Sequence, residues 1–277
     1  MPLTSLLTLA ALLFLAVAGK YVLGPVMVRE RHRRSADPVY QPIDISQAPP
    51  EVATPLQQAS QALSAIGFRV IGHVFRKEEQ SPIDSYASIL ASPDGADIAE
   101  LMAIRVSGPR ARVVSAAVFR REFADDTCVA TSNSSQASST PSDPRVEGLR
   151  LSQVSDVVAL YEVHRQYAAR QAAGRTPRTP APGSADRYFR EQTLRSLQRL
   201  VEQGYYRLGA TGRQYCPTMK GACLMVWRQL WPLKQIVAQQ ELTKTEAALR
   251  SLGLGGLREL SAGRSIVGPA SPAARAA

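Results

Sequence analysis

A chain of 277 residues with 45% apolar side chains and three cysteines can build a real core; it is neither a disordered tail nor a disulfide-stapled mini-protein. Its net charge of +10 is unevenly placed: residues 1–150 carry 15 Lys+Arg and 15 Asp+Glu, residues 151–277 carry 18 against 8. The second half is therefore expected to face something anionic, such as lipid headgroups, nucleic acid or an acidic protein.

Leu3 to Val28 sets seventeen uncharged residues before Lys20 and eight after it. About 20 helical residues span the ~30 Å core of a bilayer, so this stretch predicts a transmembrane helix, with Lys20 snorkelling at one end. Arg29, Arg31, Arg33 and Arg34 follow, against the single acid Glu30. The positive-inside rule then predicts a single-pass inner-membrane protein, N-terminus out and bulk cytoplasmic, with a lipid bilayer as partner through Leu3 to Val28. Ala16-Val17-Ala18 has the small-x-small form of a signal-peptide cleavage site, and cleavage near Ala18 to give a secreted or periplasmic protein is the alternative.

Residues 1–34 thus read as anchor and basic collar, and 35–54, with Pro38, Pro42, Pro49 and Pro50, as a linker. Residues 55–133 predict one helix and about five strands. Thr54 would cap a helix from Pro55 to Ile66, with Leu56, Ala59, Leu63 and Ile66 at helical spacing. Phe68–Phe75, Tyr86–Ala91, Ile98–Val106, Val113–Phe123 and Thr127–Thr131 read as strands. Turns at Pro93-Asp94-Gly95 and Asp125-Asp126 join two pairs of them. The expected fold is α+β: a helix on an antiparallel meander, then a mainly helical region with a short hairpin.

Residues 134–150 read as a loop, and Asn133-Ser134-Ser135 is only formally a glycosylation sequon. Residues 151–252 form the basic helical region. Val154, Val157, Val158, Tyr161, His164 and Ala168 share a helical face; a second helix opens at Asp186 and stops at Gly204; a hairpin links Tyr205–Leu208 to Tyr215; and Thr218 caps a long helix kinked at Pro232. Residues 253–277 read as a disordered tail.

No P-loop, dinucleotide fingerprint, nucleophile elbow, zinc-protease or Cys-x-x-Cys motif is present, so no catalytic residue, metal ligand or cofactor is assigned. His164, on an apolar helix face, reads as a hydrogen-bonded core histidine. Two arrangements suggest binding. Leu224, Trp227 and Trp231, with Arg228 and Lys234 beside them, have the composition of a membrane-interface helix, with Trp227, Trp231 and Arg228 as the interface residues, and equally of a soluble core. The other is Gly204-Tyr205 followed by Tyr215-Cys216-Pro217-Thr218-Met219-Lys220-Gly221. It resembles the recognition-helix-plus-wing segment of winged-helix DNA-binding domains, spanning 186–221 here, but lacks the compact helix pair that should precede it. That resemblance implies phosphate contacts at Arg195, Arg199, Arg207, Arg213 and Lys220.

The whole chain also resembles a set of uncharacterised single-pass membrane-anchored bacterial proteins, through Gly67-Phe68-Arg69, the Phe119 to Asn133 hairpin and Thr218 to Ala222. Such a protein has a glycine where Asp126 stands here. The resemblance implies an anchor plus a soluble domain and supplies no activity. The sequence therefore predicts a membrane-tethered scaffold or regulator that binds anionic headgroups or a protein partner, with a membrane-tethered nucleic-acid binder as the alternative.

Overall fold

The computed structural model of the chain describes residues 18–77, 83–108, 111–135, 140, 143–178 and 184–254. These form two compact units that interleave along the sequence. The helical unit takes residues 18–39, 140, 143 and 189–239, and the sheet unit takes the described residues of 40–136, 144–188 and 240–254.

The sheet unit is built on seven strands in the order β2-β3-β4-β5-β6-β7-β8. They are β2 (Gln41–Pro42), β3 (Arg69–Lys77), β4 (Ile83–Ala91), β5 (Asp97–Val106), β6 (Arg112–Glu122), β7 (Cys128–Ser132) and β8 (Val146–Arg150). Neighbours run antiparallel except β7 and β8, which are parallel. The meander is thus as expected from β3 to β7. The sheet is mixed, however, because β8 arises within the stretch read as a loop and returns in the same direction as β7. Asn133 accepts a bond from Ala117 N and donates to Val154 O, so the formal sequon residue is a structural brace between β6 and the chain after β8.

Two helices cover one face of this sheet. Helix α2 (Pro50–Ala65) starts five residues earlier than predicted. Pro50 suits the first helical position, where its missing N–H is not needed, whereas Pro55 lies inside and forfeits one backbone bond. Val52, Ala53, Leu56, Ser60 and Leu63 are its buried stripe. Helix α3 (Val157–Ala172) is capped by Asp156, whose carboxylate accepts from Val158 N and Ala159 N, and buries Leu160, Val163, His164, Tyr167 and Ala168. Against them stand Tyr86 and Leu90 of β4, Ala99, Leu101 and Ala103 of β5, and Ala117 and Phe119 of β6, the alternate residues of each strand.

The predicted transmembrane anchor is overturned. The described part of that stretch is helix α1, residues 18–31, which carries Lys20, Arg29, Glu30 and Arg31. Among the described residues no helix is long and apolar enough to cross a membrane. The part of Leu3–Val28 before residue 18, and the predicted tail from 255 on, lie outside the described residues.

In the helical unit, α1 is followed by β1 (Arg34–Ser35), which pairs with the hairpin β9 (Tyr206–Leu208) and β10 (Gln214–Pro217) in the order β1-β10-β9. The basic collar therefore ends as a strand, and the 35–54 stretch holds β2 and a 3-10 turn at Ile45–Gln47. Helix α4 (Ala185–Glu202) leads to Gly204 at φ +74° and the hairpin. The long kinked helix is instead two, α5 (Met219–Trp227) and α6 (Leu233–Ser251). Pro232 has no N–H to continue the first, but its carbonyl accepts from Gln235 N and Ile236 N to begin the second.

Asp126, where the resemblance places glycine, adopts φ +61° in the β6–β7 turn. Aspartate tolerates this left-handed conformation better than most residues, glycine better still and valine badly. The expected stability order is Asp126→Gly at or above wild type by up to about 1 kcal/mol, and Asp126→Val below it by about 1–2 kcal/mol, read from urea midpoints.

Candidate functional site

Alternation along β5 places residue 97 on the helix-covered face, where an apolar side chain is expected, yet the residue is aspartate. The turn before it is braced: Asp97 N donates to Ser92 Oγ at 2.9 Å, and Ser92 Oγ donates to Asp94 Oδ1 at 2.5 Å. Directly across the ladder, Arg121 grips the carboxylate with two bonds, Nε to Oδ1 and Nη2 to Oδ2, both 2.7 Å. Tyr161 and His164, one turn apart on α3, reach the same group: Tyr161 donates to Oδ2 at 3.2 Å, and His164 Nε2 lies 3.4 Å from Oδ1 without hydrogen-bond geometry. On its other side, His164 Nδ1 meets Thr131 Oγ1 of β7 at 3.0 Å. The imidazole stacks on Phe119, ring centres 5.8 Å apart.

Carboxylate, imidazole and hydroxyl in a row is the order of a nucleophilic triad. The environment decides against that chemistry: Asp97, His164 and Thr131 are each 0% exposed, and both Asp97 oxygens are already held by Arg121. No substrate carbonyl can approach such a hydroxyl. The cluster is a sealed brace joining β5, β6, β7 and α3.

Its electrostatics follow from burial and pairing. Burial alone raises an aspartate, but His164 and Arg121 outweigh it and leave Asp97 at about 2. His164 is pushed below its ordinary value by burial, against the pull of Asp97, and so stays neutral near pH 7. Burial pushes the Tyr161 phenol up, and the adjacent Asp97 carboxylate reinforces the shift.

A second pair occupies the opposite face of the same two strands. Glu100 of β5 is buried and ion-paired at 2.7 Å with Arg120 of β6, and Tyr188 in the first turn of α4 donates to its Oε1 at 2.9 Å. The Glu100 carboxylate holds Arg120 firmly protonated, while burial raises the thiol of the neighbouring Cys128. All three cysteines are free thiols.

The residues singled out as phosphate contacts separate into two groups. Arg199 is paired with Asp143 at 3.1 Å, with both side chains mostly covered, and Arg195 is half-buried on α4. Lys220 donates to Gln203 O at 3.0 Å and sits over the Tyr205 ring, where it caps the C-terminus of α4. That corner is tight: Thr218 Oγ1 donates to Gly204 O, and a β-carbon on Gly221 would collide with Tyr205 O. Only Arg207 and Arg213 stand exposed on the hairpin, with no side-chain partner among the described residues. The third strand completes a wing-like sheet, but among the described residues no compact helix pair leads directly into α4.

The interface residues fare differently. Trp231 is 70% exposed and Trp227 36%, its indole N–H donating to Tyr21 O of α1 at 3.1 Å, while Arg228 is half-buried at the end of α5. Sequence inspection missed the exposed apolar side chains of α1: Val22, Leu23, Val26 and Met27 all face outward. Absorbed into a predicted membrane span, they carried no separate signal.

No protein-family model matches this chain, nor does any curated protein or solved structure. Among the described residues no group of three or more His, Cys, Asp or Glu side chains could hold a metal ion.

The brace makes stability pH-dependent in a defined direction. His164 has a folded pKa below the unfolded 6.5, so the protein loses stability as pH falls below that value. Asp97, at about 2 when folded and 3.8 unfolded, contributes on the order of 2 kcal/mol above pH 3.8, lost as pH drops through 2. Urea titrations across pH should show both limbs, and His164→Gln should flatten the upper one. Asp97→Asn, which leaves Arg121 unpaired, should cost about 3–5 kcal/mol at neutral pH.

Proposed function

We propose that this protein works by binding, as a scaffold or regulatory protein: the sheet unit is its rigid body, and the helical unit presents the contact surface. One contrast carries this reading. The polar cluster of the sheet unit around Asp97 is sealed from solvent and paired within itself, whereas the helical unit turns large apolar side chains and exposed arginines to solvent. Buried ion pairs hold a body in one shape. Exposed apolar residues beside cations favour association, since covering them removes apolar area from water and satisfies charge at once.

A second reading, nucleic-acid binding through the wing-like hairpin, is supported by Arg207 and Arg213 alone. Duplex binding with a steep salt slope, lost in Arg207→Ala/Arg213→Ala, would promote it over the first.

Photo-crosslinking in living cells tests the main reading. A photo-reactive residue at position 23, 26 or 231 of the helical unit should give discrete adducts, with protein or lipid. The same residue at exposed positions 66 and 70 of the sheet unit should not. Adducts equally from both sets, or from neither, would refute the assignment of the working surface.

A further inference from the structure

Building on that reading, we infer that the outward face of α1 and the arginines that follow it seat the helical unit on the headgroup layer of an anionic bilayer, lying on it rather than crossing it.

The first observation is that α1 is amphipathic the wrong way round. At 100° per residue, Tyr21, Gly24, Pro25 and Val28 share one side, and Val22, Leu23, Val26 and Met27 the other. The first side is fixed against α5: a β-carbon on Gly24 would come 3.0 Å from Val226 Cγ1, and the Trp227 indole bonds Tyr21 O. Glycine at 24 is what lets the helices approach so closely. With its small side packed and its backbone pinned, α1 cannot roll its larger side chains inward. Leu23 is 61% exposed and Val22 65%, and they stay so.

The second is charge. Arg29, Arg31 and Arg33 are all exposed at the end of this face, with Glu30 the one acid among them. Aliphatic side chains in a continuous arc, bordered by arginines and joined by exposed Trp231, Leu233, Lys234 and Ile236 on the same unit, match the composition of a helix that lies in a membrane interface. Indole and guanidinium groups settle at headgroup depth while the aliphatic arc reaches the acyl boundary. An anionic lipid is the occupant this charge calls for, and each arginine near it strengthens binding by about fivefold.

Vesicle flotation of the full chain tests the assignment, using phosphatidylcholine alone and phosphatidylcholine mixed equally with phosphatidylglycerol. The protein should float with the anionic vesicles, less so as salt rises, and weakly with the neutral ones. Leu23→Glu/Val26→Glu should cut partitioning by about tenfold or more, and Arg29→Gln/Arg31→Gln should erase the preference for the anionic lipid. These positions are exposed, so thermal unfolding of both variants should match wild type. Flotation that survives Leu23→Glu/Val26→Glu, or none with either vesicle, would overturn the lipid assignment. If vesicles are ignored while in-cell crosslinks from position 23 land on protein, the binding reading stands and the lipid assignment alone falls.

Discussion

The two-pronged bond between Asp97 and Arg121 is the constraint on which the sheet unit turns. It lies at the start of the β5–β6 ladder, with the aspartate 0% exposed. A buried carboxylate without its partner is among the costliest defects a fold can carry, several kcal/mol against a typical total stability of about 5–15. The pair is therefore less a source of stability than a condition on geometry. Slipping β6 by one residue along β5 would send the Arg121 side chain to the far face and strand Asp97. Only one register satisfies the carboxylate, and that register also aligns Ala99 with Phe119 and Leu101 with Ala117 in the core.

The same logic repeats on the other side of the sheet. Asp97 and Glu100 are an odd number of residues apart on β5, so they point to opposite faces, as do the adjacent Arg120 and Arg121 on β6. Each acid is paired with an arginine of β6, and each receives a phenol hydrogen from a helix: Tyr161 of α3 on one face, Tyr188 of α4 on the other. One strand pair thereby specifies how α3 docks on one face and where the Tyr188 hydroxyl is held on the other. An apolar contact would let a helix slide by a turn at modest cost, while a tyrosine that must find a buried carboxylate oxygen does not. His164 extends the specification to β7 through Thr131.

Much of this architecture was legible in the residues, and the failures have physical causes. Short apolar runs at β4, β5 and β6, with the Asp94-Gly95 turn between the first two, mark the meander because strand composition and turn chemistry agree. Thr218 caps its helix by the expected side-chain bond, accepting from Gly221 N. Strand β8 was hidden because Val146–Arg150 follows a Ser- and Pro-rich run and pairs with β7 across a long connection, which local composition does not encode. Helix α2 was cut short because Pro55 looks like a start signal, while Pro50, five residues earlier, is the real one. The Asp97 cluster left only a faint trace, a charge at an apolar position of β5, and its partners lie 24 and 67 residues away in sequence. The hydropathy of Leu3–Val28 overrode everything local: it hid the fact that Gly24 and Pro25 are packing positions and that the bulky residues between them and the arginines are surface.

That last error bears on how the two units differ. In the sheet unit, charge is inside and paired, so its surface need do nothing for the fold. In the helical unit, α1 is held through Gly24 and the backbone of Tyr21, while its larger aliphatic side chains stay largely exposed. A helix whose only task was to complete a core would turn Leu23 and Met27 inward and glycine outward, gaining apolar burial at no cost. The reverse arrangement forgoes that gain. Free energy forgone in the isolated chain is available on association, and a surface fixed by a glycine contact and an indole bond is already ordered, so little conformational entropy is lost when a partner covers it. On the proposed binding reading, the exposed face of α1 is half of such a contact.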